Sequence, residues 1–188
     1  MWWRSQPGLA CPDIQPVFHE FPVVTPELGP APENGYSIVP GLVRPASRGS
    51  VRLTSADPAA PPAIDLNYLG CQADLDPLLV AVELSREIGA SPAFSAFRKR
   101  EVMPGRQSRA ERVAWIRQAT TCFFHPTSSC RMGIDDRSVV DPRLRVHGIA
   151  GLRVADASIM PEITSGPTNA PAILIGEQAS RFITNRSP

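Results

Sequence analysis

Apolar residues recur at two spacings along the chain, and each spacing predicts a different element. In Gly49–Thr54, Val51 and Leu53 alternate with Arg52 and Thr54, the two-residue period of a half-buried strand. Tyr36–Val43 predicts another strand joined to it by a Pro45–Arg48 turn, and Ala63–Tyr68 a third. Asp57-Pro58 and Pro61-Pro62 force an irregular loop between them. At Asp76-Pro77 the pattern turns helical, with Asp as N-cap and Pro at the first helical position. That helix is expected to reach Gly89 as its C′ residue, with Leu78, Leu79, Val82 and Ile88 on its buried side. A shorter helix over Pro92–Arg100 is stopped by Pro104-Gly105. Ser108-Arg109-Ala110-Glu111 fits a capping box and opens a helix to about Thr121, with Val113, Ile116 and Ala119 at helical spacing. Leu152–Val154 predicts a short buried strand running into Asp156. The last helix runs from Asn169, read as its N-cap, to about Thr184, with Ile175, Ala179 and Phe182 at i, i+4 and i+7.

Composition changes this picture in one place. The chain has 21 prolines in 188 residues, and Pro7, Pro12, Pro16, Pro22, Pro26, Pro30, Pro32, Pro40 and Pro45 crowd its first part. Each removes a backbone donor and fixes φ, so no long helix or central strand fits there. The apolar clusters Val17–Phe18, Phe21–Val24 and Ile38–Val39 argue against disorder and for ordered extended segments. The hydrophobic fraction of 43% and net charge of +1 are those of an ordinary globular protein, with no sign of a nucleic-acid partner. No apolar run approaches the roughly 20 residues of a membrane span. The N-terminus MWWRSQPGLACPDIQ reads as neither a signal peptide nor an anchor. Cys11, Cys71, Cys122 and Cys130 are too scattered for a disulfide scaffold, so reduced thiols and a cytoplasmic protein are expected.

Candidate chemistry narrows to one loop. His19 has no recognisable context, and His147 lies in a solvent-facing turn of Arg145-Val146-His147-Gly148. His125 follows a helix end within Phe123-Phe124-His125-Pro126-Thr127-Ser128-Ser129-Cys130-Arg131-Met132-Gly133. Loops held by rigid elements are where chemistry tends to sit. A lone histidine of this kind is also commonly structural. Cys122, His125, Cys130 and His147 offer two sulfur and two nitrogen ligands, but the second pair is widely split for a zinc knuckle. Ser128, Ser129 and Cys130 lack the G-x-S-x-G elbow of a hydrolase. GxGxxG and GxxxxGK[ST] are both absent.

These segments together resemble a known family. His125-Pro126-Thr127-Ser128-Ser129-Cys130-Arg131-Met132-Gly133 is similar to the histidine loop of the glucose–methanol–choline oxidoreductases, near the end of their chains. Val139–Gly148, Gly151–Pro161, Asn169-Ala170-Pro171 and Ile175-Gly176-Glu177 follow in the family's order and spacing, the choline dehydrogenase-like branch in particular. Upstream, Pro12–Gln15, Ser47–Leu53, Asp57-Pro58 and Asn67-Tyr68-Leu69 resemble the same family's substrate-domain segments. The likeness thus covers nearly the whole chain.

The resemblance implies an α+β fold: part of an antiparallel substrate-domain sheet with packed helices, plus a C-terminal strand and helix that return to an FAD-binding domain. Residues 1–45 would be Pro-rich extended segments of the substrate domain. Residues 46–150 would complete that domain and carry the catalytic loop, and 151–188 would be the returning strand and helix. It also implies an FAD-dependent enzyme that oxidises a small-molecule alcohol to a carbonyl. His125 would be the base that takes the hydroxyl proton as hydride passes to the flavin. Asn169 would hold the developing alkoxide. Asp156, Ala157, Asn169, Ala170 and Pro171 would lie against the cofactor. Asn169 also suits a helix cap and Asp156 a turn, readings compatible with these roles. The family's dinucleotide fingerprint is not in this sequence, so a missing N-terminal FAD-binding region is the expected partner. The competing expectations are an inactive remnant or interaction module, or a small Cys/His metal-binding domain.

Overall fold

Proline limits how far each strand can run. The computed structural model describes residues 1–184, and its strands are short. β1 (Val17–His19) and β2 (Ser37–Val39) pair antiparallel, with Phe18 opposite Ile38, and Pro40 removes the donor that would extend β2. β3 (Ser50–Arg52) and β4 (Ala63–Asp65) form a second antiparallel pair, with Val51 opposite Ile64. The expected strands around residues 36–43 and 49–54 therefore exist in shortened form, but they pair with other segments and not with each other. Gly49 is required immediately before β3, because a Cβ there would collide with the Asp65 carbonyl oxygen. The Pro-rich N-terminal part runs through β1, a 3-10 turn at Pro26–Leu28 and β2. Its anchor is Ile14, which is fully buried and bridges both Trp3 and Leu42.

The fold is α+β, mixing helices with these small antiparallel sheets. It separates into two compact units, Met1–Phe123 and the residues from Phe124 onward. In the first unit, α1 (Gln72–Ala90) buries Leu75, Leu78, Leu79 and Val82, spaced at i, i+3, i+4 and i+7. These pack with Leu69 and with Ile116 of α2 (Arg109–Ala119). α2 begins as expected: Ser108 Oγ accepts from the Glu111 amide at 3.3 Å, and the Glu111 carboxylate accepts from the Ser108 amide at 2.8 Å.

α1 departs from expectation at both ends. It starts one turn before Asp76, leaving Pro77 inside the helix, and it continues through Gly89 to Ala90. Contacts with the 46–47 segment tie down its start. Ser47 Oγ accepts from the Cys71 amide at 3.1 Å, and the buried Asp74 carboxylate accepts from the Ala46 and Ser47 amides at 2.6 and 3.0 Å. Those bonds offset the one intrahelical bond that Pro77 cannot make. The expected helix over Pro92–Arg100 is only a 3-10 turn at Pro92–Phe94. Tyr68 lies between two residues with positive φ, Asn67 and Leu69. Burial, and then its hydrogen bond with Cys122, push its hydroxyl up to about 12, so it stays protonated at neutral pH.

In the second unit, α3 (Asn169–Thr184) packs Ile175, Ala179 and Phe182 against Val140, Leu144 and Ile159, the face its spacing predicts. The expected buried strand Leu152–Val154 is reduced to a single bridge between Arg145 and Arg153, and Leu152 is exposed. The positive-φ turns at Gly148 and Gly151 bend the chain too tightly for a longer ladder.

Asp141 builds the turn that places Val140 and Leu144 in this core. Its Oδ1 accepts from the Arg143 and Arg145 amides at 2.8 and 2.9 Å, and its Oδ2 from Arg145 Nε at 2.7 Å. Burial would raise its carboxyl, but the Arg145 amide and guanidinium and the Arg143 amide outweigh this and hold it below the usual carboxylate range. The stabilisation is therefore fully present above the ordinary Asp value of about 4 and is lost as pH falls through the depressed native value. Asp141→Ala is expected to destabilise this unit by about 2 kcal/mol at pH 7, with a smaller penalty at acid pH. Urea unfolding at the two pH values reads both.

Candidate active site

The loop carrying His125 is shaped by backbone strain on both sides. Phe124 adopts φ 60° and Ser128 φ 74°, left-handed values that cost energy for non-glycine residues. Beyond the bend, the loop is stitched to the segment after Asp156. The Cys130 amide donates to Ser158 O at 2.9 Å, and the Met132 amide to Ile159 O at 2.7 Å. His125 itself is half-buried, with Nδ1 3.0 Å from the Phe124 carbonyl oxygen and 3.2 Å from Thr168 Oγ1.

Thr168 is the residue immediately before α3. The Ala172 amide donates to its carbonyl at 3.0 Å, so Thr168, not Asn169, holds the N-cap position. This corrects the expected cap. Asn169 is the first residue inside the helix, and it is exposed together with Ala170. Pro171 is half-buried in the same turn. Asp156 is exposed and caps the 3-10 turn Ala157–Ile159, its Oδ1 accepting from the Ser158 amide at 2.7 Å. The second unit thus brings His125 to the residue next to Asn169, and ties its loop to the turn after Asp156. Sequence reasoning missed Thr168. Its signal was the Thr-Asn-Ala-Pro order, which puts a proline at the third helical position.

Several chemistries can be weighed on this geometry. Among the described residues, no group of three or more His, Cys, Asp or Glu side chains could hold a metal ion. His147 is exposed, with Nε2 3.2 Å from Gly133 O and 3.3 Å from Ser138 Oγ. Among the described residues, no helix is long and apolar enough to cross a membrane. A histidine beside an exposed helix N-terminus, by contrast, pairs a proton acceptor with a locus that favours negative charge.

Comparison with known proteins identifies the class. Residues 45–176 match the family model described as GMC oxidoreductase, and the chain belongs to that family. It is 43% identical to an oxygen-dependent choline dehydrogenase of Ectopseudomonas mendocina over 98% of this chain and 33% of that protein. It is 42% identical to the mitochondrial choline dehydrogenase of Homo sapiens over 96% of this chain and 31% of that protein. The crystal structure of pyridoxine 4-oxidase from Mesorbium loti superposes with a TM-score of 0.92 at 34% identity, covering 100% of this chain and 38% of that one. The chain therefore spans about a third of the length of the curated relatives it matches. Proteins of this family are FAD-dependent oxidoreductases.

The cap assignment has a measurable consequence. Because Thr168 and not Asn169 caps α3, Asn169→Ala is expected to change unfolding free energy by no more than about 0.5 kcal/mol, the range for an exposed surface substitution. Thermal or urea unfolding reads this, and a loss of a full kilocalorie would restore Asn169 as the cap.

Proposed function

We propose that this chain supplies the catalytic side of an FAD-dependent oxidoreductase acting on CH–OH groups, which oxidises a small-molecule alcohol to a carbonyl. One observation carries the reading: His125 is hydrogen-bonded to Thr168, the residue immediately before α3, and Asn169 is exposed in the first turn. When bound, the flavin supplies the hydride acceptor. His125 takes the hydroxyl proton, and the Asn169 side-chain amide donates to the oxygen as negative charge grows on it. Family membership supports both roles, since the loop and the Asn-Ala-Pro turn stand in the family's order.

The residues present fit the cofactor. Asn169 and Ala170 carry first-turn amides at an exposed helix N-terminus, which favours an electron-rich ring. Ala170 and Pro171 bring little bulk to that turn. Asp156 and Ala157 suit the phosphate–ribitol part, where the exposed Asp156 carboxylate can accept from ribityl hydroxyls. In this reading residues 1–45 and 46–150 serve the substrate side. Residues 151–188 return to an FAD-binding domain whose dinucleotide fingerprint lies outside these 188 residues. Exposed Ile173, Leu174 and Ile183 on α3 suit such docking. The four free cysteines suit a reducing compartment such as the cytoplasm.

In the complete enzyme, His125→Ala is expected to slow flavin reduction by about 10²–10⁴-fold in stopped-flow measurements. Asn169→Ala should slow it by about 10²-fold. Unchanged flavin reduction in His125→Ala would remove the base assignment. The isolated 188-residue chain is expected to retain little or no FAD through gel filtration. A stoichiometric yellow monomer would show that the cofactor's main hold lies within these residues after all.

A further inference from the structure

We infer that Thr168 is a positioning residue that fixes the orientation and tautomer of His125. The inference rests on the reading of His125 as the base. It begins with an unusual helix start. An N-cap side chain ordinarily accepts a hydrogen bond from the amide of the second or third helical residue. The third residue of α3 is Pro171, which has no amide hydrogen. One of the two usual partners of the Thr168 hydroxyl is thereby removed, and the hydroxyl lies 3.2 Å from His125 Nδ1. Thr168 is only 8% exposed, so the contact is shielded from competing water.

Nδ1 faces a second oxygen, the Phe124 carbonyl at 3.0 Å. A carbonyl oxygen can only accept, so Nδ1 carries the hydrogen, and the Phe124 carbonyl and the Thr168 hydroxyl oxygen share it as a bifurcated bond. In a neutral imidazole the proton sits on one nitrogen, which makes Nε2 the nitrogen with the lone pair. That is the state a base needs. The two oxygens do different work. The Phe124 carbonyl belongs to the strained loop, whereas Thr168 is fixed to α3, whose Ala179 is buried in the core. Thr168 therefore refers the ring to the same helix start that presents Asn169. The Asn-Ala-Pro turn acquires a second role: its proline keeps the cap hydroxyl available to the histidine.

The test uses the 188-residue chain with ¹⁵N-labelled histidine, which contains three imidazoles in all. Long-range ¹H–¹⁵N correlation at a pH where the rings are neutral reads the tautomer of each, and His125→Gln assigns the signal. The wild-type ring is expected in the Nδ1–H form. Thr168→Val keeps the side-chain shape without the oxygen, and is expected to lower the ratio of Nδ1–H to Nε2–H about fivefold, the size of one net hydrogen bond. Thr168→Ser should restore the wild-type ratio. Pro171→Ala returns an amide at the third position that competes for the hydroxyl, and should shift the ratio in the same direction as Thr168→Val. It reads the same contact if Thr168→Val does not give a dispersed, folded spectrum. A wild-type His125 in the Nε2–H form, or a ratio unmoved in both Thr168→Val and Pro171→Ala, would overturn the inference. The reading of His125 as the base fails separately, by unchanged flavin reduction in His125→Ala, and that result leaves the tautomer measurement standing.

Discussion

The second unit is organised around which group one hydroxyl oxygen meets. Thr168 stands at the start of a 16-residue helix whose third position is proline, and its side chain turns to His125. Everything needed to fix that bond is local to the unit. Ile175, Ala179 and Phe182 seat the helix on Val140, Leu144 and Ile159, and Asp141 shapes the turn between Val140 and Leu144. The His125 loop is joined to the same core through the amides of Cys130 and Met132. Core packing, backbone pairing and one side-chain contact thus converge on a single imidazole.

Which features could be read from the sequence follows from where their causes lie. α2 was legible at its start because Ser108 and Glu111 satisfy each other three residues apart. The buried stripe of α3 was legible because helical spacing is a local property. The start of α1 was not, because its capping partner Ser47 lies 24 residues before Cys71, and only the folded chain brings them together. Asp76-Pro77 carried a strong local signal, and tertiary hydrogen bonds to Asp74 and Cys71 overrode it. Strand pairing failed for a related reason. Period two marks a strand but does not choose its partner: β2 pairs with β1 and β3 with β4, and β2 and β3 do not pair with each other.

The site shows the same division. Its family pattern picked out His125, Asn169 and Asp156, and the fold sets the histidine loop against the start of α3 and the turn after Asp156. Asn169 was read as the cap because asparagine is a preferred capping residue. Thr168 is a good cap as well, and the carbonyl that receives the Ala172 amide belongs to it. Two adjacent residues with similar propensities cannot be ordered by propensity alone. The proline three residues on is the clue that separates them, since it tells what the cap side chain cannot do.

The exposure of Asn169 takes on a different meaning once the cap lies one residue earlier. A capping asparagine would spend its side-chain oxygen on the helix and would be held by that bond. Relieved of the cap, Asn169 has its side-chain amide available to something outside the helix, while the backbone beneath it remains fixed by Thr168. The separation places rigidity in one residue and contact in the next. It also means that the relation between His125 and the first turn of α3 is set within residues 124–184. In the proposed reading His125 and Asn169 act on one oxygen and need a fixed separation, because small misplacements are costly to rate. Building both on one core secures that separation whatever supplies the cofactor.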